Sequence, residues 1–173
     1  MKKSLLAFCC FFLLAAVVVY AQTPAQNVSP AKHPNLAKAQ SDLNLAFQKI
    51  VDAQKANEYD LGGHADKAKQ LIQEASDHLK QAALSANQSP DTNNPMGTSM
   101  NRPENTPEAT VSANKHGNLA KAQSYIQSAY TSIVDAQKAN EYDMGGHAAK
   151  AKTALEQAQK ELKLAAESAS DKK

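Results

Sequence analysis

The sequence predicts an all-α protein made of two tandem antiparallel helical hairpins. Residues 33–87 recur as residues 116–170 at a constant offset of 83, and the two segments are identical at most positions. Within each copy, apolar residues lie three and four positions apart, which is the spacing of one helix face. A Gly-Gly pair divides each copy into two such stretches. The duplicated unit is therefore a pair of helices joined by a short turn.

The chain begins with the pattern of a secretory signal peptide, residues 1–21. Two lysines precede an apolar run from Leu5 to Tyr20, and a small-x-small sequence follows that suits cleavage before Gln22. The run is shorter than the ~20 residues of a membrane-spanning helix, and polar sequence follows it at once. We therefore expect an exported protein, periplasmic or secreted, with no stable membrane insertion after the signal is removed.

Charge and cysteine content narrow the possible functions of the mature chain. Cys9 and Cys10 both lie in the apolar run, so we expect no disulfide and no thiolate ligand after cleavage. Loss of the two N-terminal lysines leaves 17 basic residues against 17 acidic ones. This balance gives no basic surface for nucleic acid, and we expect no nucleic-acid partner.

The first helix of each copy follows a polar segment. Residues 22–32 contain proline and few apolar residues, and they predict a disordered leader. Asn35 and Asn118 are the predicted N-caps of the two equivalent helices. The predicted apolar faces are Leu36, Ala39, Leu43, Ala46, Ile50 and Ala53 in the first copy, and Leu119, Ala122, Ile126, Ala129, Ile133 and Ala136 in the second. Asn57 and Asn140 continue these faces as polar residues that would fix the helix register.

The second helix of each copy follows the glycine pair and has the same spacing. Its predicted apolar face is Ala65, Ala68, Ile72, Ala75, Leu79, Ala82 and Ala86, matched by Ala148, Ala151, Leu155, Ala158, Leu162, Ala165 and Ala169. Between the copies, residues 88–115 are rich in Pro, Asn, Ser and Thr and predict a flexible linker. A linker of this length allows a four-helix bundle, a looser pair of hairpins or a swapped dimer.

The two copies match best around the predicted turn. Residues 56–69 read ANEYDLGGHADKAK, and residues 139–152 read ANEYDMGGHAAKAK. Turn chemistry is the simpler explanation, because a left-handed helix end followed by a short turn needs glycine. The predicted structural turn residues are Gly62, Gly63, Gly145 and Gly146.

The acidic residues before the glycines support a second interpretation. Glu58 and Asp60 lie in the last turn of a helix, whose partial negative charge disfavours carboxylates. With His64 they can form a cation site, and carboxylate plus imidazole suits Zn²⁺, Ni²⁺ or Cu²⁺. The equivalent candidate ligands in the second copy are Glu141, Asp143 and His147. A single site shared by both tips would require the hairpins to pack in parallel.

The remaining histidines do not extend the candidate site, and the sequence has no catalytic motif. His33, His116 and His78 fit ordinary surface residues, and His78 has no histidine counterpart in the second copy. No Ser, Thr or Cys accompanies the tip histidine in both copies, and the chain has no glycine-rich phosphate loop. We therefore do not expect an enzyme.

Several segments carry a resemblance to known proteins. HPNLAKAQ, IVDAQKANEYD and GGHADKAK, with ELKLAAESA in the second copy, resemble uncharacterised secreted bacterial proteins with tandem alanine-rich hairpins. The overall plan is also similar to the periplasmic small metal-binding protein, although this chain has far fewer histidines. That second resemblance implies divalent-metal scavenging.

Two functions follow as expectations. The first is a non-catalytic structural or interaction protein of the bacterial envelope, which presents its hairpin tips or an apolar seam to an envelope partner or to a second copy. The second is a periplasmic protein that scavenges divalent metals through the acids and histidines of the tips.

Overall fold

The computed structural model describes residues 23–57, 61–88, 110–140 and 144–171. The predicted signal peptide, most of the predicted linker and the acidic tip segments 58–60 and 141–143 lie outside the described residues. Four α-helices and no strand occur within the described ranges, so the all-α prediction is confirmed. The helices are α1 (Pro34–Asn57), α2 (His64–Asn87), α3 (Gly117–Asn140) and α4 (His147–Ser170).

The two hairpins pack together as a four-helix bundle whose neighbouring helices run antiparallel. The closest packing is between hairpins, α1 against α3 and α2 against α4. His64 at the start of α2 contacts Glu161 in the second half of α4, and Lys38 near the start of α1 reaches Ser128 in the middle of α3. Of the three arrangements that the linker allows, the chain therefore forms the bundle, with its two turns at opposite ends.

The core consists of the predicted apolar faces. Every apolar position of these faces is buried except Ala86, which is partly buried. Phe47 and its equivalent Tyr130 are also buried, and Lys69 and Lys152 lie over their rings at 5.8 and 5.6 Å. Alanine side chains are small and allow two helices to approach closely, which is consistent with the extensive packing between the hairpins. None of the helices in the described ranges has an apolar stretch long enough to cross a membrane.

The segment before α1, which we expected to be disordered, packs against the first hairpin. Gln40 is 1% exposed, and its side-chain oxygen accepts a hydrogen bond of 2.9 Å from the backbone N–H of Val28. The second copy repeats this contact, since the Val111 N–H donates to Gln123 at 2.8 Å. The reason is visible in the sequence, where Thr-Pro, Val-Ser and Lys-His recur upstream of both hairpins at the same offset. The duplication extends beyond the predicted boundary.

The first helix of each hairpin starts slightly earlier than predicted. α1 begins at Pro34 and α3 at Gly117, so Asn35 and Asn118 lie inside the first turn. The first helical position suits Pro34, because proline lacks the N–H that would be unpaired there.

Candidate functional site

Each hairpin turn is a run of three residues in the left-handed backbone conformation. The φ angles are 55°, 66° and 75° at Leu61, Gly62 and Gly63, and 52°, 65° and 74° at Met144, Gly145 and Gly146. Left-handed backbone is costly for residues with a Cβ and nearly free for glycine. The exceptions, Leu61 and Met144, are each only 1% exposed. Burial of this apolar side chain anchors the turn in the core and offsets its backbone strain.

The first glycine of each pair also lies against the other hairpin. A Cβ added at Gly62 would lie 2.7 Å from Ser168 Oγ, and one added at Gly145 would lie 2.9 Å from Ser85 Oγ. The second glycine of each pair has nothing within 4 Å of such a Cβ. The first glycine therefore serves both the turn and its docking onto the neighbouring helix.

The bundle separates the two tips. Because the hairpins are antiparallel, the two turns lie at opposite ends of the bundle, so a site shared by both tips is ruled out. Four of the predicted ligands, Glu58, Asp60, Glu141 and Asp143, lie outside the described residues, and the separate tip sites stay predictions. Within the described part of the chain, no three His, Cys, Asp or Glu side chains group closely enough to hold a metal ion.

His64 pairs with a carboxylate of the other hairpin. It is the first residue of α2, and its Nδ1 lies 2.6 Å from Glu161 Oε2 on α4. The two side chains are 24% and 21% exposed. The Nδ1–H of His64 donates to the carboxylate, in a short hydrogen bond that links the hairpins at this end.

His147 faces a second imidazole at the opposite end. Its Nδ1 lies 3.3 Å from the Nδ1 of His78, with ring centroids 5.5 Å apart. The Nε2 of His78 lies 3.9 Å from a carboxylate oxygen of Glu74, and the His78 side chain is 22% exposed. We expected His78 to be an ordinary surface residue. The structure instead places it in a half-buried contact between the hairpins.

These two contacts occupy equivalent places in the duplicated fold. Residue 161 is the counterpart of residue 78 at the repeat offset of 83, so a pseudo-two-fold axis relates the His64–Glu161 pair to the His147–His78 pair. One end of the bundle therefore holds histidine with glutamate, and the other holds histidine with histidine. Sequence alignment of the copies shows the Glu161 and His78 exchange, but only the orientation of the hairpins reveals which residue each one faces.

Comparison with known proteins returned nothing: no protein-family model matches the chain, and neither the curated proteins nor the solved structures contain a match. The resemblances drawn from the sequence therefore stay predictions.

Proposed function

We propose that the chain is a non-catalytic structural or interaction protein of the bacterial envelope that engages a partner protein at both ends of a helical rod. The antiparallel packing carries this proposal, because it places the two nearly identical turns at opposite ends. Each helix has 24 residues, which corresponds to about 36 Å at 1.5 Å per residue. A rod with equivalent ends can connect two copies of one partner.

The packing favours the tips over the apolar seams as the contact surface. The apolar faces of all four helices are buried in the bundle, so a partner or a second copy that bound a seam would first have to open it. Among the described residues, the exposed large apolar side chains are Leu45, Leu84 and Leu164, which lie on three different helices. They are scattered singly, as on an ordinary protein surface.

Site-specific photo-crosslinking in the envelope of the native host tests the proposal. A photoreactive residue replaces Lys67 near one turn or its counterpart Lys150 near the other; both are exposed. The matched control carries it at Gln48, which is exposed in the middle of α1. We expect the same adduct from both end positions and none from Gln48.

Two results would contradict the proposal. Equal adduct formation from Gln48 would show that the flank of the rod, and not its ends, is the contact surface. Adducts from neither end would remove the evidence for a tip-binding partner.

Export is part of the proposal and rests on the signal-peptide pattern of residues 1–21. Cell fractionation with mass measurement of the purified protein tests it, and we expect a chain that begins at Gln22 in the periplasm or medium. A full-length chain retained in the cytoplasm would contradict this part.

A further inference from the structure

We propose that His78 and His147 form a metal site, best suited to Zn²⁺, that joins the two hairpins at one end of the bundle only. The site takes one histidine from α2 and one from α4. It differs from the tip sites predicted from the sequence, because its ligands come from both hairpins. It also goes beyond the proposed function, which requires no metal.

The distance between the two ring nitrogens carries the inference. Zinc binds histidine nitrogen at about 2.0–2.1 Å in tetrahedral geometry, so two such ligands on one ion lie about 3.3–3.4 Å apart. The Nδ1 atoms of His78 and His147 are 3.3 Å apart. In the square-planar geometry typical of Cu²⁺, adjacent ligands at the same bond length would lie only about 2.9 Å apart. The separation therefore equals that of two corners of a tetrahedron, so a zinc ion would replace the hydrogen bond between the two Nδ1 atoms. Two corners remain for water or an external ligand.

The nearby carboxylate suits the protonation state that the metal requires. With both Nδ1 lone pairs on the ion, each ring carries its proton on Nε2. The Nε2 of His78 lies 3.9 Å from Glu74 Oε1 on the preceding turn of α2. A small rotation of the exposed Glu74 side chain would let it accept this N–H. A carboxylate that receives the second N–H is the usual outer partner of a metal-bound histidine.

The equivalent pair at the other end is a shorter hydrogen bond, between a histidine and a carboxylate. His64 Nδ1 and Glu161 Oε2 are 2.6 Å apart, which is shorter than the ligand separation around a tetrahedral zinc ion. A metal there would have to break this hydrogen bond and push the two side chains apart. The proposed site therefore lies at the His78–His147 end.

Calorimetric titration of the exported protein, purified without a histidine tag and stripped with chelator, tests this inference with Zn²⁺ alone. We expect one ion per chain and a zinc-dependent rise in melting temperature, because the ion links the hairpins. His78→Glu copies the residue of the opposite end and should weaken zinc binding at least tenfold. The His64→Ala control should bind zinc as the wild type does.

The reverse exchange supplies a gain-of-function test. Glu161→His places a second histidine opposite His64, and we expect it to raise the stoichiometry from one ion to two. Nitrogen NMR of the imidazoles should show zinc-induced shifts at Nδ1 of His78 and His147.

Three outcomes would overturn the inference. These are zinc affinity unchanged by His78→Glu, equal loss of affinity from His64→Ala, or no zinc binding by a folded wild-type protein. The double variant His33→Ala with His116→Ala controls for binding at the open ends of the hairpins, and it should leave the stoichiometry at one.

Discussion

The two ends of the bundle have the same backbone frame and different chemistry. At one end the histidine that begins α2 donates to the carboxylate of Glu161 at 2.6 Å. At the other end the histidine that begins α4 lies 3.3 Å from the imidazole of His78. The turn, the burial of its apolar residue and the close approach of its first glycine are alike at both ends. One substitution on a helix of the other hairpin makes the difference.

The two ends show that a segment repeated in both copies need not have the same role in each. The GGH sequence is identical in both copies, but its histidine meets a residue of the opposite hairpin, which differs. The chemistry of each end is therefore set by the neighbour and not by the repeated segment itself.

The largest effect is expected where the ends are alike, at the apolar residue of each turn. Leu61→Ala and Met144→Ala each remove a side chain that is 1% exposed, so each should lower the free energy of unfolding by about 3 kcal/mol. Leu61→Met copies the opposite end and should cost less than about 1.5 kcal/mol. Urea unfolding followed by circular dichroism measures these values. If only one of the two alanine variants lost stability, the two turns would not be equivalent.

The two glycines of one turn should differ from each other. Gly62→Ala adds a Cβ that lies 2.7 Å from Ser168 Oγ, whereas Gly63→Ala adds one with open space around it. Both pay the left-handed backbone penalty, so we expect about 1 kcal/mol for Gly63→Ala and about 2 kcal/mol for Gly62→Ala. Adding Ser168→Ala to Gly62→Ala should recover part of the difference in thermal unfolding. Equal costs at both glycines would show that the contact with α4 is unimportant.

The packed segments before α1 and α3 offer a third comparison. Gln40→Ala removes the acceptor for the Val28 N–H, and Gln123→Ala does the same for Val111. Each should cost at least about 1–2 kcal/mol, because several hydrogen bonds are lost. Gln40 also accepts from the Asn27 N–H and donates to Ser76, and Gln123 also donates to the Gln159 carbonyl. Hydrogen exchange should rise at residues 24–29 for the first variant and at 110–112 for the second. Unchanged exchange would mean that the glutamines do not hold these segments.

The smallest effect concerns an ion pair present in the first copy alone. Asp66 accepts from Lys69 at 2.8 Å and is 57% exposed, while its counterpart is Ala149. The hydrogen bond from Lys69 lowers the pKa of Asp66, against the opposing effect of burial, and Gln54 adds to the lowering.

A lowered pKa in the folded state stabilises the protein only while the carboxylate is ionised. The stabilisation should be complete well above the ordinary pKa of 3.8 and should disappear as the pH falls through the lower folded value. Asp66→Asn should cost at most about 0.5 kcal/mol at pH 7, because exposed pairs are screened by solvent. The difference from wild type in thermal unfolding should vanish near pH 2. A difference that persists there would assign the effect to something other than charge.

The helices and their buried faces could be predicted from the sequence, because burial on one side of a helix imposes a spacing of three and four residues. Leu36, Ile72 and their counterparts are buried as that spacing predicts. The packed segment before α1 was missed because its polar composition hides a short repeat. Recurrence of Val-Ser and Lys-His upstream of both hairpins was the available signal.

The pairing of the histidines could not be predicted, because it depends on how one hairpin lies on the other. A flexible linker leaves that orientation open, and the apolar faces of the helices are compatible with parallel and antiparallel packing. The sequence therefore shows His78 only as a polar residue on a helix, and not its contact with the His147 ring.

The pseudo-two-fold axis has a consequence for how the two ends can vary. Two separate, identical hairpins packed in this way would form an isologous dimer, in which each contact occurs twice. A change at the position of residue 78 would then alter both ends together. In the single chain, residues 78 and 161 are encoded independently, so each end can be changed without affecting the other. Covalent linkage of the copies thus allows a symmetric backbone to have different side chains at its two ends.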